Sequence, residues 1–249
     1  MLAARIIPVL LRRGMQLVKG KGFASWRNVG HALQAARIYE TRGVDELMIL
    51  DIGLTIANRA PDAASVAEFT KDCFMPLTVG GGVKHVNQVR DILANGADKV
   101  LVGTAAHDTP KLVEEIAHRF GSQAISVAVD VGSTGTVWTR CGTWDTGKDP
   151  VEYAQHMEHL GAGEIVLNSI PRDGTMLGYD LPCIDEVSSS VSIPVVAAGG
   201  AGTYEHLALA LKAGAHAVAA GAMFQFTDAT PKGAAQYLAA QGFHVRSAA

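Results

Sequence analysis

The chain alternates short, uniformly apolar runs with longer segments whose apolar positions recur every three to four residues. The short runs are rich in β-branched residues and show no polar alternation, which is typical of parallel strands covered on both faces. They predict eight strands, at Ile6–Leu10, Glu46–Asp51, Pro76–Val79, Lys99–Val102, Ala124–Asp130, Glu164–Ser169, Pro194–Ala197 and Ala217–Ala220.

The longer segments between these runs predict amphipathic helices. Ala32–Thr41 and Val86–Ala94 each gather their apolar residues on one face. Prolines mark helix starts and glycines mark helix ends, where a left-handed backbone is wanted. The prolines are Pro61, Pro110 and Pro150, and the glycines are Gly43, Gly96, Gly161 and Gly214.

The two halves of the chain repeat one another. Glycines recur 118 residues apart in four pairs, namely Gly43 and Gly161, Gly82 and Gly200, Gly96 and Gly214, and Gly103 and Gly221. Eight strand–helix units in two matching halves predict one (β/α)8 barrel over residues 1–249. A doubly wound open sheet is the alternative, and it does not predict a clean repeat of four units.

Composition narrows the class of protein. The 249-residue chain has a formal net charge of −3, which argues against a nucleic-acid or membrane surface. No apolar run approaches the roughly 20 residues of a spanning helix, and the first residues lack a signal-peptide layout. The scattered Cys73, Cys141 and Cys183 predict reduced thiols of a cytoplasmic protein. Its nine histidines are also scattered, so no metal site or cofactor is predicted.

Two long loops follow predicted strands one and five, at Val18–Val29 and Gly132–Lys148. They lie half a barrel apart, on the face where barrels of this kind carry function. The alternation through Thr136–Thr139 predicts a small hairpin within the second loop.

Glycine-rich strand ends predict two phosphate-binding sites at that face. Glycine lets backbone N–H groups approach an anion, and an adjoining helix N-terminus adds a favourable dipole. One predicted site comprises Gly82, Gly103 and Thr104; the other comprises Gly200, Gly221 and Ala222, joined by Asp173 and Gly174. Two sites across the mouth would fit an elongated ligand with a phosphate at each end. The simpler interpretation is that these glycines only form tight turns.

Two carboxylates end predicted strands and are candidates for acid–base catalysis. Asp51 ends strand two and Asp130 ends strand five, and helix capping or hydrogen bonding is the alternative role for either. The repeat places the counterpart of Asp130 at position 11 or 12, where the chain reads Leu11-Arg12. The second carboxylate of a symmetric two-acid mechanism is therefore missing.

Four charged residues open predicted strands at the other end of the barrel: Arg5, Glu46, Lys99 and Glu164. Two cations and two anions can satisfy one another as a ring. Such a ring either stabilises the bottom of the barrel or gates entry of a small molecule.

The chain resembles the cyclase subunit of imidazole glycerol phosphate synthase, a barrel of histidine biosynthesis, over essentially its whole length. The matching motifs are Arg5–Pro8, Val18–Gly20, Asp45–Leu47, Leu50–Ile52, Pro76–Gly82, Gly96–Val100, Arg119–Gln123, Gly161–Ile165, Arg172–Thr175 and Gly199–Gly202.

The resemblance implies a glutaminase subunit that docks on the N-terminal face, where the family's docking aspartate matches Asp98. Ammonia would pass a gate matching the four charged residues and travel through the barrel. At the C-terminal face it would meet a bis-phosphorylated aminoimidazole carboxamide substrate, beside the family's loop lysine at Lys19. Two aspartates there perform the acid–base steps of cleavage and ring closure.

The chain departs from this family pattern at several positions. The first catalytic aspartate aligns with Leu11, which cannot transfer a proton, whereas the second aligns with Asp130. Pro171, Gly103 and Ala222 replace a usual aspartate, asparagine and phosphate-site serine.

Three hypotheses remain. The chain could be a divergent paralog that hands ammonia to a third protein, an amidotransferase acting on sugars for surface polysaccharides. It could be a genuine histidine-pathway cyclase in which another acid, such as Asp51, replaces the missing one. It could also be a non-catalytic scaffold that binds a phosphorylated ligand and activates its glutaminase.

Overall fold

A computed structural model describes residues 3–246. Its strands in chain order are β1 (Arg5–Arg13), β2 (Gln16–Lys21), β3 (Ala24–His31), β4 (Leu47–Asp51), β5 (Leu77–Gly80), β6 (Lys99–Val102), β7 (Ile125–Val131), β8 (Val137–Thr139), β9 (Trp144–Asp145), β10 (Glu164–Ser169), β11 (Val195–Ala198) and β12 (Ala217–Ala220). The predicted domain also includes residues 1–2 and 247–249, which lie outside the described residues.

Eight of these strands pair in parallel around a closed ring, in the order β1, β4, β5, β6, β7, β10, β11, β12 and back to β1. The predicted (β/α)8 barrel is therefore confirmed. Because β1 and β7 lie four places apart in this ring, they face each other across the barrel.

Helices cover the outside of the ring: α1 (Ala32–Thr41), α2 (Ala63–Thr70), α3 (Val86–Ala94), α4 (Thr104–Asp108), α5 (Lys111–Phe120), α6 (Pro150–His159), α7 (Leu181–Ser190), α8 (Tyr204–Lys212), α9 (Ala222–Phe226) and α10 (Pro231–Ala240). Two short 3₁₀ turns lie at Ser122–Ala124 and Ile170–Arg172. None of the helices between residues 3 and 246 is long and apolar enough to cross a membrane.

The half-chain repeat is visible in the elements themselves. The long strands β1 and β7 are each followed by an antiparallel hairpin, β2–β3 and β8–β9. The five-residue helices α4 and α9 occupy equivalent places after β6 and β12. Both halves therefore present a hairpin and a short helix at the C-terminal mouth.

The segment predicted as the loop Val18–Val29 is instead most of the β2–β3 hairpin. Its turn places Gly22 and Phe23 at φ of 56° and 58°, as a tight hairpin turn requires. The two turn residues are Gly-Phe rather than the usual Asn-Gly, and phenylalanine rarely adopts positive φ. The sequence therefore carries no signal for this turn.

Apolar packing forms two separate regions. The larger lies between the strands and the surrounding helices. The smaller fills the barrel lumen and consists of Ile7, Met48, Leu101, Val166, Val196, Ala217 and Ala219. These apolar side chains lie between the two mouths of the barrel.

Candidate functional site

A cavity of about 400 Å³ opens at the C-terminal ends of the barrel strands. Its floor is made of lumen-facing side chains, among them Met48, Leu101, Ala128, Val166 and Ala219. Most predicted site residues line its walls, namely Lys19, Asp51, Gly82, Gly103, Thr104, Asp130, Asp173, Gly174, Gly221 and Ala222. The C-terminal mouth therefore brings together residues that are up to 203 positions apart in the sequence.

Gly200 stands apart from this group, because its neighbour Gly199 lines the cavity in its place. The Gly200 carbonyl accepts a hydrogen bond of 2.8 Å from the Gly178 N–H. A Cβ at Gly200 would lie 2.1 Å from the Gly178 carbonyl oxygen, at a φ of 112°. Glycine is needed there for close backbone packing behind the cavity wall.

Asp130 lies near the end of β7, beside Asn168 of β10, which is its register partner. The Asn168 side-chain N–H donates to Asp130 Oδ1 at 3.2 Å. Burial raises the pKa of Asp130 to about 7; the hydrogen bond from Asn168 lowers it in part and the nearby charge of Asp173 adds to the rise. A carboxyl group with this pKa can both take up and release a proton near neutral pH.

Leu11 lies on β1, across the ring from Asp130, and lines the cavity with its register partner Leu50. The mouth is therefore chemically uneven. A titratable carboxyl group stands on one side, and two leucines face it from the other.

Asp51 is held by several polar partners. Its carboxylate accepts N–H hydrogen bonds from Gly14 at 3.2 Å and from Gly53 at 3.1 Å. Arg12 Nε lies 3.6 Å from Asp51 Oδ2, and both side chains are buried. The Arg12 guanidinium also donates to Ser65 at 2.8 Å and lies over the Phe69 ring. Arg12 was not predicted as a site residue from the sequence. It follows Leu11 on β1 and is the register partner of Asp51.

Lys19 reaches the second glycine site from β2. Its side chain is only 6% exposed, and Nζ donates to the Val9 carbonyl at 3.3 Å. A Cβ at Gly221 would lie 2.3 Å from this ammonium group, so a larger residue there would force the end of the Lys19 side chain to move. Burial lowers the pKa of Lys19 to about 8, against the opposing attraction of Asp173. Asp173 has one buried oxygen, Oδ2, without a hydrogen-bond partner in the described chain.

The first glycine site is built differently. The Gly82 N–H donates to Thr55 Oγ1 at 3.3 Å, and Thr104 Oγ1 accepts from the Arg140 N–H at 2.9 Å. A Cβ at Gly103 would meet only Ala128, at 3.6 Å. No close backbone contact among the described residues requires glycine at position 103. Its effect there is to leave space in the cavity.

The four charged residues at the N-terminal mouth are in direct contact. Arg5 pairs with Glu46 at 2.6 Å and with Glu164. Lys99 Nζ lies 3.1 Å from Glu46 and 3.4 Å from Glu164. Burial opposes the charge of Arg5, yet the two glutamates raise its pKa above its ordinary value. These contacts close a ring of two cations and two anions beneath the apolar lumen.

Two hydroxyl groups complete the ring and were not foreseen from the sequence. Thr78 donates to Glu46 at 2.8 Å, and Ser126 donates to Glu164 at 2.9 Å. Burial raises the pKa of Glu46, but Lys99 and Arg5 outweigh this and lower it overall. The predicted docking residue Asp98 is exposed on the same face and accepts the Leu77 N–H at 2.8 Å.

No group of three or more histidine, cysteine, aspartate or glutamate side chains within residues 3–246 is arranged to hold a metal ion. The chemistry that the described site offers is a buried ammonium, a titratable carboxyl group and glycine-lined backbone.

Comparison with known proteins agrees with the fold. The model of the family described as histidine biosynthesis protein matches residues 5–230. Imidazole glycerol phosphate synthase subunit HisF of Chlorobium phaeobacteroides is 43% identical over 250 residues, which cover 99% of this chain and 100% of that one. HisF of Caulobacter vibrioides is 44% identical over 252 residues, covering 99% and 97%. The chain therefore belongs to the histidine biosynthesis protein family and, within it, to the family of imidazole glycerol phosphate synthase HisF subunits.

Proposed function

We propose that this chain receives ammonia from a glutaminase subunit and delivers it through the barrel to the C-terminal mouth. The observation that carries the proposal is the closed ring of Arg5, Glu46, Lys99 and Glu164 at one end of a lumen whose other end opens into the cavity. A source of ammonia at the N-terminal face would be separated from the cavity by this ring and by the apolar side chains of the lumen.

Lys99 is the residue whose movement would open the ring. Its contacts to Glu46 and Glu164 are longer than those of Arg5, and its flexible side chain carries a compact charge. Arg5 would remain as a bridge between both glutamates. Above the ring the lumen is apolar, which favours passage of neutral ammonia over a charged ion.

At the C-terminal mouth, we propose that Lys19, Gly174, Gly221 and Ala222 hold one phosphate group and that Gly82, Gly103 and Thr104 border the other. A buried ammonium with a single hydrogen bond favours an anionic ligand, because an incompletely paired buried charge is costly. Asp130 would be the acid–base residue beside that ligand.

The missing partner of Asp130 favours a paralog that passes ammonia to a third protein, an amidotransferase acting on a sugar of surface polysaccharides. Leu11 transfers no proton. The Asp51 carboxylate already accepts hydrogen bonds from Gly14 and Gly53 and pairs with Arg12. Losing one general acid or base costs about 10²–10⁴-fold in rate. A conduit needs the gate and the lumen but not a second carboxylate in the cavity.

A histidine-pathway cyclase is the second candidate. The full-length identity of 42–44% to HisF subunits supports it, together with Asp130 and its pKa of about 7. In that case the bis-phosphate substrate and ammonia would give imidazole glycerol phosphate and an aminoimidazole carboxamide ribotide in the same cavity.

Ammonium-dependent turnover of the bis-phosphate substrate by the isolated chain distinguishes the two candidates. The proposal expects no turnover beyond that of an Asp130→Asn control, although the substrate still binds. Leu11→Asp is expected to raise turnover, because it restores a carboxylate across the ring from Asp130. Clear turnover by the unaltered chain, abolished by Asp130→Asn, would establish a cyclase and reject the paralog that hands ammonia to a third protein.

A further inference from the structure

Phe74 is the most exposed large apolar side chain between residues 3 and 246, at 81% exposure. It lies in the segment between α2 and β5, so it is at the N-terminal face of the barrel. Its neighbours Cys73 and Met75 are both buried. The core under this segment is therefore filled by Cys73 and Met75, and the Phe74 ring is left in solvent.

The backbone on both sides of Phe74 is held in place. Glu40 at the end of α1 accepts N–H hydrogen bonds from Phe74 at 2.9 Å and from Met75 at 3.2 Å. Two residues before Phe74, Asp72 pairs with Arg37 of α1 at 2.6 Å. The exposed ring therefore stands on a preorganised segment, which lowers the entropy lost when a partner covers it.

The position of Phe74 connects it to the gate. Thr78, four residues further along, donates to Glu46 of the charged ring, and four residues span at most about 14 Å. The exposed Asp98 accepts the N–H of Leu77, between Phe74 and Thr78 along the chain. An apolar anchor and a carboxylate thus stand together on the rim of the gated mouth.

We propose that Phe74 is the apolar anchor for the glutaminase subunit, fitting a pocket on that subunit beside a basic side chain that meets Asp98. This inference rests on the proposed function and names a contact that determines affinity for the partner. Aromatic side chains are enriched in protein interfaces, and anchors that fill a well-packed pocket near the centre of an interface carry most of its binding energy. The same contact would seal the mouth around the gate, so that ammonia enters the lumen rather than the solvent.

The test measures binding of the purified full chain to the glutaminase subunit from the same organism by calorimetry. Phe74→Ala is expected to weaken binding by about 30-fold or more, the usual effect of truncating a central aromatic anchor. Leu177→Ala is the matched control, because Leu177 is 77% exposed but follows β10 at the opposite face. Thermal melts should match for all three proteins, since both replaced side chains are largely in solvent.

Each outcome has a distinct meaning. Loss of affinity in Phe74→Ala alone supports the anchor. Unchanged affinity in Phe74→Ala, with tight binding by the unaltered chain, overturns the anchor and leaves the proposed ammonia route intact. Equal losses in both variants would also overturn it, since the effect would not be specific to this face. No binding by the unaltered chain would reject the glutaminase partner itself.

Discussion

At the scale of single residues, the cavity depends on side chains whose protonation the fold has altered. Asp130 and Lys19 both line the C-terminal mouth, and burial moves the pKa of each toward neutrality, upward for the acid and downward for the base. Both groups therefore change charge within a narrow range of pH that ordinary aspartate and lysine side chains do not share.

The affinity for a phosphorylated ligand is expected to fall as pH rises from 7.5 to 10. With a pKa of about 8, Lys19 is protonated at the lower end of this range and loses its charge toward the upper end. Losing a charge-assisted hydrogen bond costs about 1.5–3 kcal/mol, or roughly 10- to 100-fold in affinity. Calorimetric titration with the bis-phosphate substrate measures the slope. Lys19→Met should bind weakly with a flat profile, and a profile as steep as that of the unaltered chain would contradict this role.

Asp130→Asn is expected to stabilise the protein at pH 8 and to have little effect at pH 4. The folded-state pKa of about 7 lies above the unfolded value, so the protonated carboxyl group contributes stability that is complete below about pH 4 and lost as pH rises through 7. An amide avoids the charge at high pH, a gain on the order of 2 kcal/mol. Urea unfolding at both pH values measures it, and equal effects at the two values would rule out the raised pKa.

At the scale of elements, neighbouring strands hold the polar side chains of the mouth in pairs. Parallel register joins Arg12 of β1 to Asp51 of β4, and Asp130 of β7 to Asn168 of β10. Each pair combines a carboxylate with a donor that lies far away in sequence. The orientation of each carboxylate is therefore a property of two strands together.

Arg12→Met is expected to lower the free energy of unfolding by about 3 kcal/mol or more, because it leaves the buried Asp51 charge without its cation. Denaturant unfolding measures the change. The double variant with Asp51→Asn should recover part of the loss, since the uncompensated charge is removed. Additive losses in the double variant would show that Arg12 stabilises the barrel through Ser65 and Phe69 instead.

At the scale of the whole molecule, the barrel separates two mouths with different chemistry. A charged ring closes the N-terminal mouth, and a cavity lined by Lys19, Asp51, Asp130 and Asp173 opens at the other. The apolar lumen is the common wall of both. The proposed passage of ammonia along the axis would couple the two faces.

Lys99→Ala is expected to uncouple glutamine hydrolysis from ammonia use. Without its ammonium the ring loses contacts to both glutamates and no longer closes the lumen, so ammonia leaks or enters without control. The amount of ammonia incorporated into product per glutamine hydrolysed should fall. Product formation from added ammonium salt should be unchanged. Lys111→Ala, an exposed lysine at the start of α5, is the control. If both reactions decline together, the ring is structural and not a gate.

Much of the molecule could be predicted from local patterns. The bounds of α1 and α3 and of strands β6, β10 and β12 follow the predicted ones, because apolar periodicity and flanking glycines act over a few residues. The 118-residue repeat predicted the closed barrel, and strand polarity assigned the charged residues to one mouth and the aspartates to the other. These inferences need only the direction of each strand.

Other features depend on how strands close into a ring. The sequence by itself determined the eight strand–helix units, the repeat and the kinds of charge at each end of the barrel. Only the tertiary structure decided that Arg12 pairs with Asp51 and that Asn168 donates a hydrogen bond to Asp130. It also decided that Gly199 rather than Gly200 lines the cavity. The physical reason is that local periodicity specifies which face a side chain occupies, whereas strand register and tilt decide which distant group it meets there.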